Sequence, residues 1–169
     1  AYSMAVQADG KIVLAGMCSG NPSSTSDFAL VRYHADGSLD TGFGGDGKVV
    51  TDAGYESEDL NSIAIQPDGK ILAAGSGSND GYNSADFVLL RYNSDGSLDT
   101  RFDGDGILTI DSGSTEIARS VTTQPDGKIL VLGSDDSGTF LLRLTNAGSL
   151  DTGFGINGKV GSQIIPWNT

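Results

Sequence analysis

The phrase Ser62-Ile-Ala-Ile-Gln66-Pro-Asp68-Gly69-Lys70-Ile71 occurs twice more in altered form, as Ser3 to Ile12 and as Ser120 to Ile129. Each copy opens a unit of just under sixty residues, and a unit that recurs in this way must bury its apolar surface against its own copies. Aligned on Gln7, Gln66 and Gln124, the chain reads as three repeats, 1–61, 62–119 and 120–169, in one continuous repeat domain.

Each repeat holds four strand candidates. The first, Ser3 to Gln7 with its counterparts Ser62 to Gln66 and Ser120 to Gln124, alternates with the period of two of a half-buried strand. The second, Lys11 to Gly16, Lys70 to Gly75 and Lys128 to Gly133, is apolar nearly throughout, as a strand covered on both faces would be. Between them lies Pro67-Asp68-Gly69, matched by Pro125-Asp126-Gly127 and Ala8-Asp9-Gly10. Proline presets the first turn position, Asp tolerates the second and Gly takes a left-handed site, so the phrase reads as a hairpin turn with its bulge.

The third strand is Phe28 to Tyr33, then Phe87 to Tyr92, then Phe140 to Leu144, and the fourth is Gly47 to Thr51, Gly106 to Ile110 and Gly158 to Gly161. A loop of fixed wording joins them: Gly37-Ser-Leu39-Asp40-Thr-Gly-Phe43, Gly96-Ser-Leu98-Asp99-Thr-Arg-Phe102 and Gly148-Ser-Leu150-Asp151-Thr-Gly-Phe154. Its Leu and Phe are expected to pin the loop into a groove between neighbouring sheets. Helix finds little support. The one stretch with helical spacing, around Glu56 to Ile63, reads better as the approach to a repeated strand. Four antiparallel strands per unit, repeated, predict an all-β fold of three β-propeller-type blades.

These phrases, Gln-Pro-Asp-Gly-Lys-Ile, Asp-Phe-x-Leu-x-Arg-Tyr and Asp-Gly-Ser-Leu-Asp-Thr-x-Phe, resemble the delta-60 repeat, a propeller-type repeat of large secreted or surface proteins of bacteria. The resemblance covers essentially the whole chain and implies a secreted or cell-surface location; the family offers no catalytic residues to carry over. The third repeat departs from the pattern, lacking the Asp before Phe140 and carrying Ala147 and Asn157 where the others have Asp36, Asp95, Asp46 and Asp105.

Three blades fall short of the four to eight that close a propeller. The repeats are in phase, beginning just before a first strand and ending just after a fourth, which leaves two expectations. Two chains close a six-bladed ring as a homodimer, or further repeats of a longer parent complete it. An isolated wedge would leave two apolar faces in water, which favours self-association.

Charge narrows the partners. Ten Lys plus Arg against twenty-two Asp plus Glu give a formal charge of -12, which repels phosphate backbones and anionic lipid heads, so neither nucleic acid nor a membrane is expected. No apolar run approaches the roughly 20 residues of a membrane span. The single cysteine, Cys18, forms no intrachain disulfide and reads as an unremarkable thiol in a polar loop.

Four groups of residues carry candidate chemistry. Carboxylates concentrate before the fourth strand, Asp40 and Asp46 in the first repeat and Asp99, Asp103 and Asp105 in the second, and make calcium the one expected cofactor. The match to a calcium loop is incomplete, and Asp-Gly is also the default turn dipeptide. Arg32 with Asp40, Arg91 with Asp99 and Arg143 with Asp151 stand eight residues apart in every copy, the spacing of a structural ion pair that burying the Arg would require. The connections between second and third strands, Met17 to Asp27, Ser76 to Asp86 and Ser134 to Thr139, vary in length. The second holds Asn79, Asp80, Tyr82 and Asn83, polar groups around one aromatic, as in carbohydrate or peptide recognition. His34, the only histidine, follows a third strand and reads as a turn position, which leaves no base for a nucleophilic triad elsewhere.

The expected function is a non-enzymatic structural, adhesion or ligand-binding module. The alternative is a polysaccharide hydrolase or lyase whose acidic residues converge.

Overall fold

The computed structural model describes residues 1–19, 25–80 and 84–161, and every regular element among them is a strand. The first sheet contains β1 (Ser3–Val6), β2 (Ile12–Cys18), β3 (Asp27–Tyr33) and β4 (Lys48–Thr51). The second contains β5 (Ser57–Ile65), β6 (Ile71–Ser78), β7 (Ala85–Tyr92) and β8 (Ile107–Ile110). The third contains β9 (Ile117–Thr123), β10 (Ile129–Asp135), β11 (Gly138–Leu144) and β12 (Lys159–Val160). Neighbours in sequence are neighbours in each sheet and all pair antiparallel, so each sheet is one four-stranded propeller blade.

The turn chemistry explains the first hairpin of each blade. Gln66 N–H donates to the Lys70 carbonyl at 2.8 Å, Gly69 N–H donates back to the Gln66 carbonyl at 2.9 Å, and Gly69 sits at φ +84°. The same bonds recur at Gln7 with Gly10 and at Gln124 with Gly127.

Period-two alternation then sorts side chains between the two neighbours of the middle blade. Ile71, Ala73, Val88, Leu90 and Tyr92 join Val13, Ala15, Phe28 and Leu30 of the first blade in one core. Leu72, Ala74, Phe87 and Leu89 join Val121, Ile129, Val131 and Phe140 of the third in another. Strand β6 is therefore buried along its entire length. Its counterparts are covered on one face only: Met17 of β2 and Leu132 of β10 stay exposed. Buried polar groups at the first junction are matched, with Tyr92 Oη donating to Thr51 Oγ1 at 2.9 Å.

Several expectations change. The Glu56–Ile63 stretch lies almost wholly within β5, which starts at Ser57 and runs across the 61/62 seam of the repeats, as β9 does at 119/120. Strand pairing extends further than the apolar pattern, to Cys18 opposite Asp27, Ser78 opposite Ala85 and Asp135 opposite Gly138. Cys18 thus closes a strand instead of lying in a loop, and the third connection shrinks to the turn at Asp136 and Ser137. Phe43 and Phe102 are fully buried and Leu98 packs against the first core, as expected, but Leu39 and Leu150 are exposed. Leu39 covers its own loop, bridging Tyr33 and lying against Gly47, instead of filling a groove between sheets.

Candidate functional site

Buried charged side chains recur where one blade meets the next. Arg32 leaves β3 within an apolar strand, and its loop returns to it: Asp40 N–H donates to the Arg32 carbonyl at 3.0 Å and Arg32 N–H donates to the Gly47 carbonyl at 3.1 Å. That closure brings the Asp40 carboxylate to the guanidinium, with Nε to Oδ2 at 2.7 Å. The guanidinium lies 4.5 Å from the centroid of Phe43, and its Nη1 donates to the carbonyl of Ser94 on the second blade. Gln7 Oε1 accepts from the same Nη1 at 3.4 Å.

The second blade repeats the arrangement. Arg91 meets Asp99 at 2.9 Å, lies 4.7 Å from the Phe102 centroid and donates to the carbonyl of Asn146 on the third blade. In the third blade Arg143 meets Asp151 at 2.8 Å and lies 4.5 Å from the Phe154 centroid. Loop backbones add to each junction: Gly44 N–H donates to the Asp95 carbonyl at 2.9 Å, and Asp103 N–H donates to the Ala147 carbonyl at 3.1 Å.

A buried ion pair loses hydration that only good geometry recovers. Here the aromatic face and the neighbouring carbonyl supply what the carboxylate alone does not. Lys11, at 3.1 Å, is the main cause that holds the Asp40 carboxyl down at about 2, helped by Gly42 N–H and Arg32 and opposed by burial. Lys128 is likewise the main cause lowering Asp151.

A second junction element went unread in the sequence. Glu58 of β5 is fully buried, and its carboxylate accepts from Ala53 N–H at 2.6 Å, Phe28 N–H at 3.3 Å and Tyr55 N–H at 3.4 Å. Burial pushes this carboxyl up to about 7 in spite of those three donors. Glu116 takes the same place one blade on, accepting from Ser114 Oγ at 2.6 Å, from Ser112 N–H at 3.3 Å and from Ser112 Oγ. The available signal was their recurrence, each a few residues before its copy of the opening phrase.

Among the described residues one group of three metal-ligating side chains forms, Asp86, Asp111 and Glu116, with oxygens within 4.8 Å of one another. Asp86 also accepts from Tyr55 Oη at 2.9 Å. Its carboxyl is raised first by burial, against the Tyr55 hydrogen bond, and further by the negative charge of Asp111 and Glu116. Three carboxylates are hard-cation ligands, and this is the set that could hold a divalent ion, although calcium takes six to eight oxygens.

The residues singled out for calcium are not brought together in this way. Asp40 and Asp99 face Arg32 and Arg91, Asp46 Oδ1 accepts from Lys48 N–H and Asp105 Oδ1 from Ile107 N–H, both at 2.9 Å, and Asp103 is exposed at φ +51°. Of the proposed ligand-binding residues, Asn79 Oδ1 accepts from Glu56 N–H at 3.0 Å and Asp80 Oδ1 from Ser84 N–H at 3.0 Å. Tyr82 and Asn83 lie outside the described residues. His34 occupies the turn after β3, with Nε2 3.6 Å from Asp40 Oδ1. A cleft of about 510 Å³ between the first two blades is lined by glycines, Lys48, Val49, Val50, Asp95 and Ser97, with no aromatic side chain.

Three successive antiparallel blades, clipped by one repeated polar junction, define a β-propeller-type repeat protein. The chain belongs to the family described as "Domain of unknown function (DUF5122) beta-propeller", whose model matches residues 7–43, 66–102 and 124–154. It is a repeat family of the same kind as the delta-60 repeats that the sequence resembles. Each matched segment opens on the hairpin glutamine, Gln7, Gln66 or Gln124, and closes on the phenylalanine beneath the arginine, Phe43, Phe102 or Phe154. The matched unit therefore takes in the hairpin, the arginine, its loop carboxylate and the phenylalanine beneath the guanidinium. No curated protein matches the chain.

Proposed function

We propose that this chain is a non-catalytic propeller module of a secreted or cell-surface bacterial protein, a rigid scaffold that presents its strand connections for adhesion or ligand binding. The observation that carries this reading is the use made of the recurring charged residues. Arg32, Asp40, Arg91 and Asp99 are each bound into a blade junction, and Glu58 and Glu116 are buried under donors from their own junctions. Groups spent on structure in this way are not poised for proton transfer to a substrate. The surface location is supported by the resemblance to delta-60 repeats, and the charge of -12 suits a soluble exported surface.

The connection between β6 and β7, with Asn79 and Asp80 at its near end, is the binding element in this reading, and a carbohydrate or a peptide is its class of ligand. The test is incubation of the chain with a panel of soluble and immobilised glycans, scoring both retention and release of reducing ends. Retention without turnover is the expected result. Turnover would replace this reading with that of a polysaccharide hydrolase or lyase.

A further inference from the structure

We infer that the open face of the third blade and the open face of the first are the two halves of one further junction, and that a second copy of this chain fills it. The inference rests on the propeller-module reading and names its partner. Among the described residues, the third blade carries a donor half that meets no acceptor. Arg143 holds Asp151 and lies over Phe154 as its counterparts do, yet among the described residues its guanidinium meets no carbonyl of a following blade. Its side chain is 21% exposed, against 7% for Arg32 and 5% for Arg91. Phe154 is half-buried, while Phe43 and Phe102 are fully buried. Leu132 is 42% exposed where Ala74, its counterpart on the second blade, is 0%.

The first blade carries the matching acceptor half. Ala35 and Asp36 stand at the positions of Ser94 with Asp95, and of Asn146 with Ala147, whose carbonyls receive the arginine and the loop N–H at the two existing junctions. Gly96 and Gly148 each hold a position whose Cβ would lie 3.0 Å from the preceding blade's phenylalanine ring; Gly37 has the same left-handed backbone, φ +84°, with nothing within 4 Å. Met4 is 71% exposed, where Ile63 and Val121 in the same register are 7% and 5%. The inner strands repeat the complementarity. Ile63 N–H donates to Ser3 Oγ at 3.1 Å and Val121 N–H to Ser62 Oγ at 3.2 Å, which leaves Ser120 Oγ to receive Met4 N–H of the next copy.

The same register sends Arg143 to the carbonyl of Ala35, Gly155 N–H to that of Asp36 and the Phe154 ring onto Gly37. A head-to-tail contact of this kind closes into a ring when its rotation permits. Two copies of the three described blades give six, within the usual four to eight, and three copies would exceed that range. The partner is therefore one further copy, bound through two identical junctions.

The test is the solution mass of the 169-residue chain, 17.4 kDa as a monomer, by light scattering after gel filtration over a hundredfold range of concentration. A dimer is expected. Leu132→Asp and Met4→Asp, both on faces exposed in the single chain, are expected to elute as monomers with an unchanged far-ultraviolet spectrum. A monomeric parent chain would overturn the inference, as would an open polymer or a dimer that both variants leave intact. None of these masses bears on glycan turnover, so failure here and failure of the module reading are separate results.

Discussion

The guanidinium of Arg32 on one blade donates to the backbone carbonyl of Ser94 on the next, across 62 residues of chain. Because the acceptor is main chain, the contact asks only for the right turn geometry, and it recurs unchanged between Arg91 and Asn146. An ion pair inside a blade has become the connection between blades.

Removing that connection exposes its cost. Arg91→Ala leaves Asp99 buried without its cation and the Asn146 carbonyl without its donor, so a loss of about 3–5 kcal/mol is expected. Urea unfolding followed by circular dichroism measures it. A loss below about 1 kcal/mol, the range of an exposed pair, would show that the junction carries little of the stability.

Stability should fall as pH rises through neutrality. The Glu58 carboxyl, ordinarily at 4.5, is pushed up to about 7 in the folded chain, so between those values the native state binds more protons than the unfolded one. Its contribution is fully present below pH 4.5 and is lost as pH climbs through about 7, on the order of 3 kcal/mol in all. Asp40 works in the opposite sense, its contribution present above its ordinary 3.8 and lost as pH falls toward about 2. The urea midpoint should therefore be higher at pH 5 than at pH 8, and Glu58→Gln should flatten the difference. Equal midpoints in the parent chain would contradict the assignment.

Close packing at the turn glycines gives a comparison of two similar substitutions. Gly96 and Gly37 both have positive φ, so alanine costs about 1–2 kcal/mol of backbone strain at either. At Gly96 the added methyl also meets Val49 at 2.8 Å and Phe43 at 3.0 Å, which raises the expected loss to about 2–4 kcal/mol. Measured at a concentration low enough to give monomers, Gly37→Ala should be the milder change; the reverse order would mean that Phe43 moves aside freely.

The three clustered acids predict a stabilising substitution. Asp111 is exposed, and its Oδ1 accepts from Gly113 N–H at 2.7 Å, a bond that asparagine retains. In chelator, Asp111→Asn removes like charge from beside Asp86 and Glu116 and should raise the thermal midpoint by a few degrees, corresponding to about 0.5–1 kcal/mol. A lowered midpoint in chelator would show that the charge of Asp111 serves the fold.

Much of this architecture was legible because its signals are local. Alternation along Ser62 to Gln66, the Pro67-Asp68-Gly69 turn and the eight-residue interval from Arg91 to Asp99 all act within one hairpin or loop. Long-range partners left no such trace. Arg91 and Asn146 are 55 residues apart, and nothing near either marks the other. Glu58 lies in a polar run, and the three backbone N–H groups that bind its carboxylate come together only in the folded chain. The exposed Leu39 shows the converse, an apolar residue recurring because it covers a glycine of its own loop.

Cross-linking between open faces tests most directly the claim that junction halves on the two ends of the chain complement each other. In a Cys18→Ser background, Met4→Cys and Leu132→Cys are introduced together and treated with a short bismaleimide. The predicted product is one covalent dimer that does not grow with time, because two copies satisfy both faces. Uncross-linked monomer alone, or a ladder of higher multimers, would contradict it.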